Sequence, residues 1–305
     1  MVTEAFAPGF ERIVSSDVTI EVLATGFIFT EGPTWNGREG HLSWVDIIGD
    51  AIYRWVPGEG TRVIMHPSGK ADGMTLDREG RLVVAGWGTR TVWRWEHDGS
   101  VTTLGSHFEG KKLNTPNDIV VKSDGAIYFT DPTGALQLPG HEGTDVQRYL
   151  EHHGVYRLEP DSGKLTLLTT EVVYPNGLCF SPDESLLYIN DSRPSLIWVG
   201  DVKPDGAIRN LRRFASLKGD DPGNPDGMRV DVEGNVYCTG PGGVWALDPA
   251  GKPLGRIKTA EHCANFIFGG DDMKTLFMTC RTTVYKMRMN IPGIPAYPRP
   301  EPARR

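Results

Sequence analysis

The sequence predicts an all-β fold, a six-bladed β-propeller with a metal site on its axis, and three observations lead there. Helical periodicity is almost absent, while short alternating runs such as Ala126-Ile127-Tyr128-Phe129-Thr130 and Val155-Tyr156-Arg157-Leu158 recur along the chain. A unit built of such runs repeats six times, its starts 38 to 59 residues apart, which suits one blade each. Five of the six units open on a side chain that carries an oxygen.

Each unit begins with an acid or amide, a small or polar residue and an apolar strand. The starts are Glu31-Gly-Pro-Thr-Trp, Asp72-Gly-Met-Thr-Leu, Asn117-Asp-Ile-Val-Val, Asn176-Gly-Leu-Cys-Phe, Asp226-Gly-Met-Arg-Val and Ala264-Asn-Phe-Ile-Phe. A second strand follows a Gly or Asp turn, as in Leu42-Ser-Trp-Val and Leu186-Leu-Tyr-Ile. The third strand often ends in aromatics, as in Ala51-Ile-Tyr-Arg-Trp and Val92-Trp-Arg-Trp. Trp44, Trp55, Trp93, Trp95, Trp198 and Trp245 fall at matching strand positions, so they are expected between blades, whereas Trp87 is off that pattern and could face a ligand.

The third unit is long because it holds Gly134 to His153, which reads as a strandless loop over one mouth of the channel. The last unit is a strand short. Residues 18–24 alternate like a strand and are placed to close the ring as its outer strand, protecting exposed edges. The whole chain, 1–305, is read as a single propeller domain. Its tail, 291–305, has Pro292, Pro295, Pro298, Pro300 and Pro302 and is expected to be extended or disordered rather than part of a sheet.

Composition narrows the function. With 39% hydrophobic and 23% charged residues the chain has an ordinary globular balance. Its 37 glycines and 22 prolines suit many short strands joined by many turns. A formal charge of -7 argues against nucleic acid as a partner, because a phosphate backbone calls for a basic face. Cys179, Cys238, Cys263 and Cys280 form no Cys-x-x-Cys pair and read as buried small apolar residues in a reducing compartment. Met1 to Phe10 lacks the basic segment and apolar run of a signal peptide, and no stretch approaches the roughly 18 apolar residues of a membrane span. A cytoplasmic protein with no membrane partner is expected.

The repeat starts carry the chemistry. The innermost strand of each blade lines the channel, so Glu31, Asp72, Asn117, Asn176, Asp226 and Ala264 should converge near one end of the axis. Turn chemistry explains an isolated Asn-Gly or Asp-Gly. It does not require Glu31, nor a set in phase with the repeat. Several such oxygens in a narrow channel would be costly without a cation. Carboxylates and amides make a hard, oxygen-only shell that suits Ca²⁺, with Mg²⁺, Mn²⁺ or Zn²⁺ as alternatives.

Glu31-Gly-Pro, Asn114-Thr-Pro-Asn-Asp-Ile, Tyr128-Phe-Thr-Asp-Pro, Tyr174-Pro-Asn-Gly-Leu, Pro225-Asp-Gly-Met and Phe268-Gly-Gly stand in order between about Ile20 and Met289. This set resembles the senescence-marker-protein/gluconolactonase/luciferin-regenerating-enzyme family, bacterial gluconolactonases above all. The resemblance implies a six-bladed propeller and a calcium-type metalloenzyme that opens sugar lactones, with a small-molecule lactone as its partner. It implies Glu31, Asn176 and Asp226 as metal ligands, Asn117 as a fourth ligand or a substrate contact through water, and Asp226 as the proton-transfer residue. A metal that polarises the lactone carbonyl and a carboxylate that relays the proton make a consistent mechanism.

Other residues are weighed beside these. Asp72 stands where the resemblance leads one to expect Asn, and is expected to contact substrate hydroxyls or to steady its turn. Asn114 and Thr115 precede the Asn117 strand and are expected to face the mouth and the substrate. Asp118 is a candidate to support the site or to cap the adjacent turn, and Asp131 to reach the channel or, the favoured reading, to stabilise the turn before the insertion. The His152-His153 pair reads as a solvated loop pair, and His66 and His262 as structural. No Gly-x-Ser-x-Gly, Gly-x-Gly-x-x-Gly or P-loop is present. Two other functions keep the same propeller: a metal-dependent arylesterase or organophosphatase, and a non-catalytic binding propeller.

Overall fold

The computed structural model describes residues 2–296. Six antiparallel sheets stand radially, each running from an inner to an outer strand. Blade 1 comprises Thr30–Asn36, His41–Asp46, Ala51–Val56 and Gly60–Met65; blade 2 comprises Ala71–Leu76, Leu82–Gly86, Thr91–Trp95 and Val101–Gly105. Blade 3 comprises Ile119–Val121, Ile127–Asp131, Gly154–Glu159 and Lys164–Thr169; blade 4 comprises Pro175–Phe180, Leu186–Asp191, Leu196–Val202 and Ile208–Ser216. Blade 5 comprises Met228–Val230, Val236–Gly240, Gly243–Leu247 and Pro253–Lys258, and blade 6 comprises Cys263–Gly269, Thr275–Cys280 and Thr283–Arg288. Inner strands touch neighbour to neighbour around the axis, and that of blade 6 meets that of blade 1.

The N-terminus closes the ring. Glu21–Thr25 pairs with the third strand of blade 6, Val22 opposite Tyr285, so the last sheet reaches four strands. Thr3–Ala5 adds a fifth strand to blade 5, Thr3 opposite Ile257. The sequence reading has no strand there, because three residues carry too little alternation to signal one.

Apolar side chains fill the wedges between blades. Trp35 of blade 1 stacks on Phe277 of blade 6 with ring centroids 5.5 Å apart. Trp44, Phe266 and Leu276 lie in the same buried cluster. Each such side chain contributes about 1.5–3 kcal/mol on burial. All four cysteines are free and buried.

Residues 291–296 of the tail join no strand but are anchored to the propeller. The N–H of Val232 donates to the Pro292 carbonyl at 3.0 Å, and that of Gly293 donates to the Met273 carbonyl at 2.9 Å. Gly293 bridges Asp231 and lies so close to Phe268 that a Cβ would meet that ring at 2.2 Å. Ile294 and Ala296 add apolar contacts at the end of the axis away from the repeat starts. Burial of these side chains outweighs the missing proline donors. Pro298, Pro300 and Pro302 lie outside the described residues.

Candidate active site on the channel axis

A repeated device fixes where the inner strands begin. Asp46, at the end of the second strand of blade 1, accepts backbone N–H groups from Ile28 at 2.9 Å and Phe29 at 3.0 Å. Asp191 does the same in blade 4 for Val173 and Tyr174, both at 2.9 Å. Asp131 is their counterpart in blade 3, accepting from the Asn114 N–H at 2.8 Å. It therefore holds the segment that leads into the inner strand of blade 3, rather than the turn before the insertion. Its other oxygen is buried without a partner, and burial pushes the carboxyl up to about 7.

The strand starts bring a polar cluster to the axis. Glu31, Asp72 and Asn117 are at most 5% exposed. The Asn117 amide donates to Asp72 Oδ2 at 2.8 Å, and the Asn117 backbone N–H donates to Thr130 at 2.9 Å. Glu31 accepts from the Gly32 N–H and from Asn265 Nδ2, the latter at 2.9 Å. Asp226 is held through its backbone: its N–H donates to Thr239 Oγ1 at 2.9 Å, and its carbonyl accepts from Asn190 Nδ2. Asn176 lies beside the Asp226 carboxylate, and its Oδ1 is buried with no hydrogen-bond partner.

Electrostatics confirm that these groups feel one another. Burial pushes Glu31 up to about 7, with the charge on Asp118 adding to the rise. Burial also raises Asp72 and Asp226 well above the carboxylate range, and the charges on Glu31 and Asp118 push both further. A group of carboxylates this desolvated and this close favours protonation or a cation. Among the described residues no three His, Cys, Asp or Glu side chains form a metal-holding group, so a cation here must also draw on amide oxygens.

Two expected substrate contacts are placed differently. Asn114 and Thr115 are fully buried. Thr115 Oγ1 donates to the Pro132 carbonyl at 2.6 Å, and Asn114 Nδ2 donates to the carbonyls of Asp131 at 3.1 Å and His152 at 2.9 Å. Their donors brace the chain beneath Asn117 rather than face the mouth, because backbone carbonyls of blade 3 and the insertion accept from them; Asn114 Oδ1 is buried without a partner.

The 134–153 insertion has one short 3₁₀ turn, Gly134–Leu136, and no strand. It rests on the site face: a Cβ on Gly134 would lie 2.5 Å from Trp87 and 2.7 Å from the Tyr174 hydroxyl. Tyr174 is within electrostatic reach of Asp226 and Asp72. His152 and His153 are not a solvated pair. His152 Nε2 meets the Tyr156 hydroxyl at 3.0 Å, and His153 Nδ1 meets the Val173 carbonyl at 2.6 Å, anchoring the end of the insertion.

Sequence reasoning missed Asn265, Asn190, Tyr174 and Arg229. A signal for the first was present: the sixth start has Ala264, and its oxygen-bearing side chain comes one position later.

Fold and site together define a β-propeller whose axis holds a buried, oxygen-rich polar cluster under a loop. The chain belongs to the SMP-30/Gluconolactonase/LRE-like family, whose profile matches residues 29–282. It is 32% identical to a gluconolactonase from Zymomonas mobilis, covering 93% of this chain and 85% of that protein. It is 30% identical to a regucalcin from Xenopus laevis, covering 87% of each. A solved gluconolactonase structure from Xanthomonas campestris superposes with a TM-score of 0.87 at 31% identity, covering 95% of both chains.

Proposed function

We propose that this chain is a metal-dependent lactonase that hydrolyses a sugar lactone of the gluconolactone type. Membership of the family and the likeness to gluconolactonases support the reaction class. The observation that carries the metal is Asn176 Oδ1, a buried acceptor without a donor beside the raised carboxylate of Asp226, which the charge on Glu31 pushes further up. An acceptor left so is costly unless a cation or ordered water meets it. Glu31, Asn117, Asn176 and Asp226 would hold a divalent cation of the Ca²⁺ type, because every donor is a hard oxygen. When bound, such a cation supplies Lewis-acid polarisation of the lactone carbonyl.

The chain's own residues do the rest. Asp226 takes a proton from water as its oxygen adds to the carbonyl carbon, and returns one to the ring oxygen as the C–O bond breaks. Asp72, steadied by Asn117, accepts hydrogen bonds from sugar hydroxyls. Asn114 and Thr115 hold the Asn117 strand in place. The insertion, with Trp87 and Tyr174, limits water above the site.

The test is a pH-indicator assay on a panel of sugar lactones, using stripped protein reloaded with Ca²⁺, Mg²⁺, Mn²⁺ or Zn²⁺. Turnover of a sugar lactone that vanishes on stripping supports the reading. Turnover of aryl esters or organophosphates alone would replace it, and inertness toward every substrate would leave a binding propeller. Asp226→Asn, with metal content measured, should lower kcat by about 10²–10⁴; near wild-type turnover would refute its role.

A further inference from the structure

We propose that Arg229, paired with Asp118 beneath the axial cluster, is a positioning residue that sets how tightly the site holds its divalent cation. The inference rests on reading Glu31, Asn117, Asn176 and Asp226 as that cation's ligands.

Asp118 occupies the position after a strand start, where blades 1, 2, 4 and 5 have Gly32, Gly73, Gly177 and Gly227. It is 2% exposed. Room for it depends on blade 2: a Cβ on Gly73 would lie 2.8 Å from Asp118 Cα and 3.1 Å from its Oδ1. Asp118 Oδ1 accepts from the Ile119 N–H at 2.9 Å, and Oδ2 from the Leu178 N–H at 3.4 Å. Its charge acts on Glu31, Asp72 and Asp226 alike.

Arg229 is the cation that answers it. Nη1 sits 3.5 Å from Asp118 Oδ2 and donates to the Met228 carbonyl at 2.6 Å, so the guanidinium is anchored as well as paired. The side chain is 13% exposed, toward a cavity of about 480 Å³ at the opposite mouth that Met74, Ile119, Cys179, Ile267 and Ile294 also line. Its charge reaches past Asp118 to Glu31. Ionised around a cation, Glu31, Asp72, Asp118 and Asp226 would carry four negative charges. A divalent cation cancels two of them, and Arg229 a third.

The sign of the effect separates this role from simple support. A prop, once removed, loosens the ligands and weakens binding. A counter-charge, once removed, leaves a more negative cluster that binds a cation more tightly.

Calorimetric titration of stripped protein with Ca²⁺ alone tests it. Arg229→Met should bind Ca²⁺ about tenfold more tightly or better than wild type, Asp118→Asn about tenfold more weakly. Arg229→Lys, which keeps the charge, should stay near the wild-type constant. Equal or weaker binding by Arg229→Met overturns the proposal. Should Arg229→Met fail to fold with Asp118 unpaired, the double variant decides, since replacing both partners of a buried pair is often tolerated. Asp118→Asn/Arg229→Met must then bind Ca²⁺ more tightly than Asp118→Asn; if it does not, the proposal falls. Wild-type protein that takes up no Ca²⁺ would overturn the cation reading itself, and this inference with it.

Discussion

Blades 3 and 6 differ from the other four at one position, and the difference shows how a repeat becomes a site. In blades 1, 2, 4 and 5 the residue after the strand start is glycine, because the neighbouring blade leaves no room: a Cβ would meet the Asp72 carbonyl oxygen at 2.0 Å from Gly32 and the Asp226 carbonyl oxygen at 2.1 Å from Gly177. Blades 3 and 6 put Asp118 and Asn265 there. Asp118 reaches under the cluster from one side, while Asn265 binds Glu31 from the other. The glycines bring the blades close, and the two exceptions fill the space that this closeness creates.

The first way to break the comparison is to remove the proposed cation, whose ligands come from blades 1, 3, 4 and 5. Burial holds Glu31 up at about 7, well above its ordinary 4.5. In metal-free protein the stability this shift contributes is fully present below about pH 4.5 and is lost as the pH rises through about 7. The chelator-induced drop in Tm should therefore be larger near pH 8 than near pH 5.5. With the cation at about a thousand times its Kd, its removal should cost about 4 kcal/mol. Equal drops at both pH values would show that Glu31 does not face the cation.

A smaller effect comes from breaking the glycine class. Gly32 has φ +52 and faces the backbone of blade 2 rather than a movable side chain. Gly32→Ala combines a strained backbone with overpacking and should lose about 3 kcal/mol in denaturant unfolding. An unchanged midpoint would mean that the blades can part there without cost.

Much of this was legible in the chain, and the limits have physical causes. The sixfold period, the strand near 18–24 and the oxygen-bearing starts are local patterns that alternation and spacing expose. The partners of those starts are not local. Asn265 meets Glu31 across the ring closure, and Arg229 meets Asp118 across blades 3 and 5, so neither pairing leaves a trace in nearby sequence. Asn114 and Thr115 misled for a related reason: a polar residue before a strand start looks available to a ligand until the backbone that uses it is known. Asp131 is the opposite case, since comparison with Asp46 and Asp191 as repeat equivalents points from the sequence to its role at the entry to the inner strand.

The smallest effect sharpens the comparison by making blade 6 resemble the glycine blades. Asn265 Nδ2 donates to Glu31 Oε2 at 2.9 Å, and its Oδ1 accepts from the Phe266 N–H at 2.8 Å. Asn265→Gly removes both bonds and leaves a carboxylate oxygen of Glu31 with the Gly32 N–H as its donor. A hydrogen bond to a charged group contributes about 1.5–3 kcal/mol, and some of this returns if water enters the space, so a loss of about 2 kcal/mol is expected. The same substitution removes an obstacle that crowds Gly227, whose added Cβ would lie 2.2 Å from Asn265 Oδ1 but also 2.6 Å from Asn265 Cα. Gly227→Ala should therefore be less damaging in the Asn265→Gly background than alone, though still destabilising because the backbone contact persists. Strict additivity in that double-mutant cycle would show that the two positions do not share the axial space.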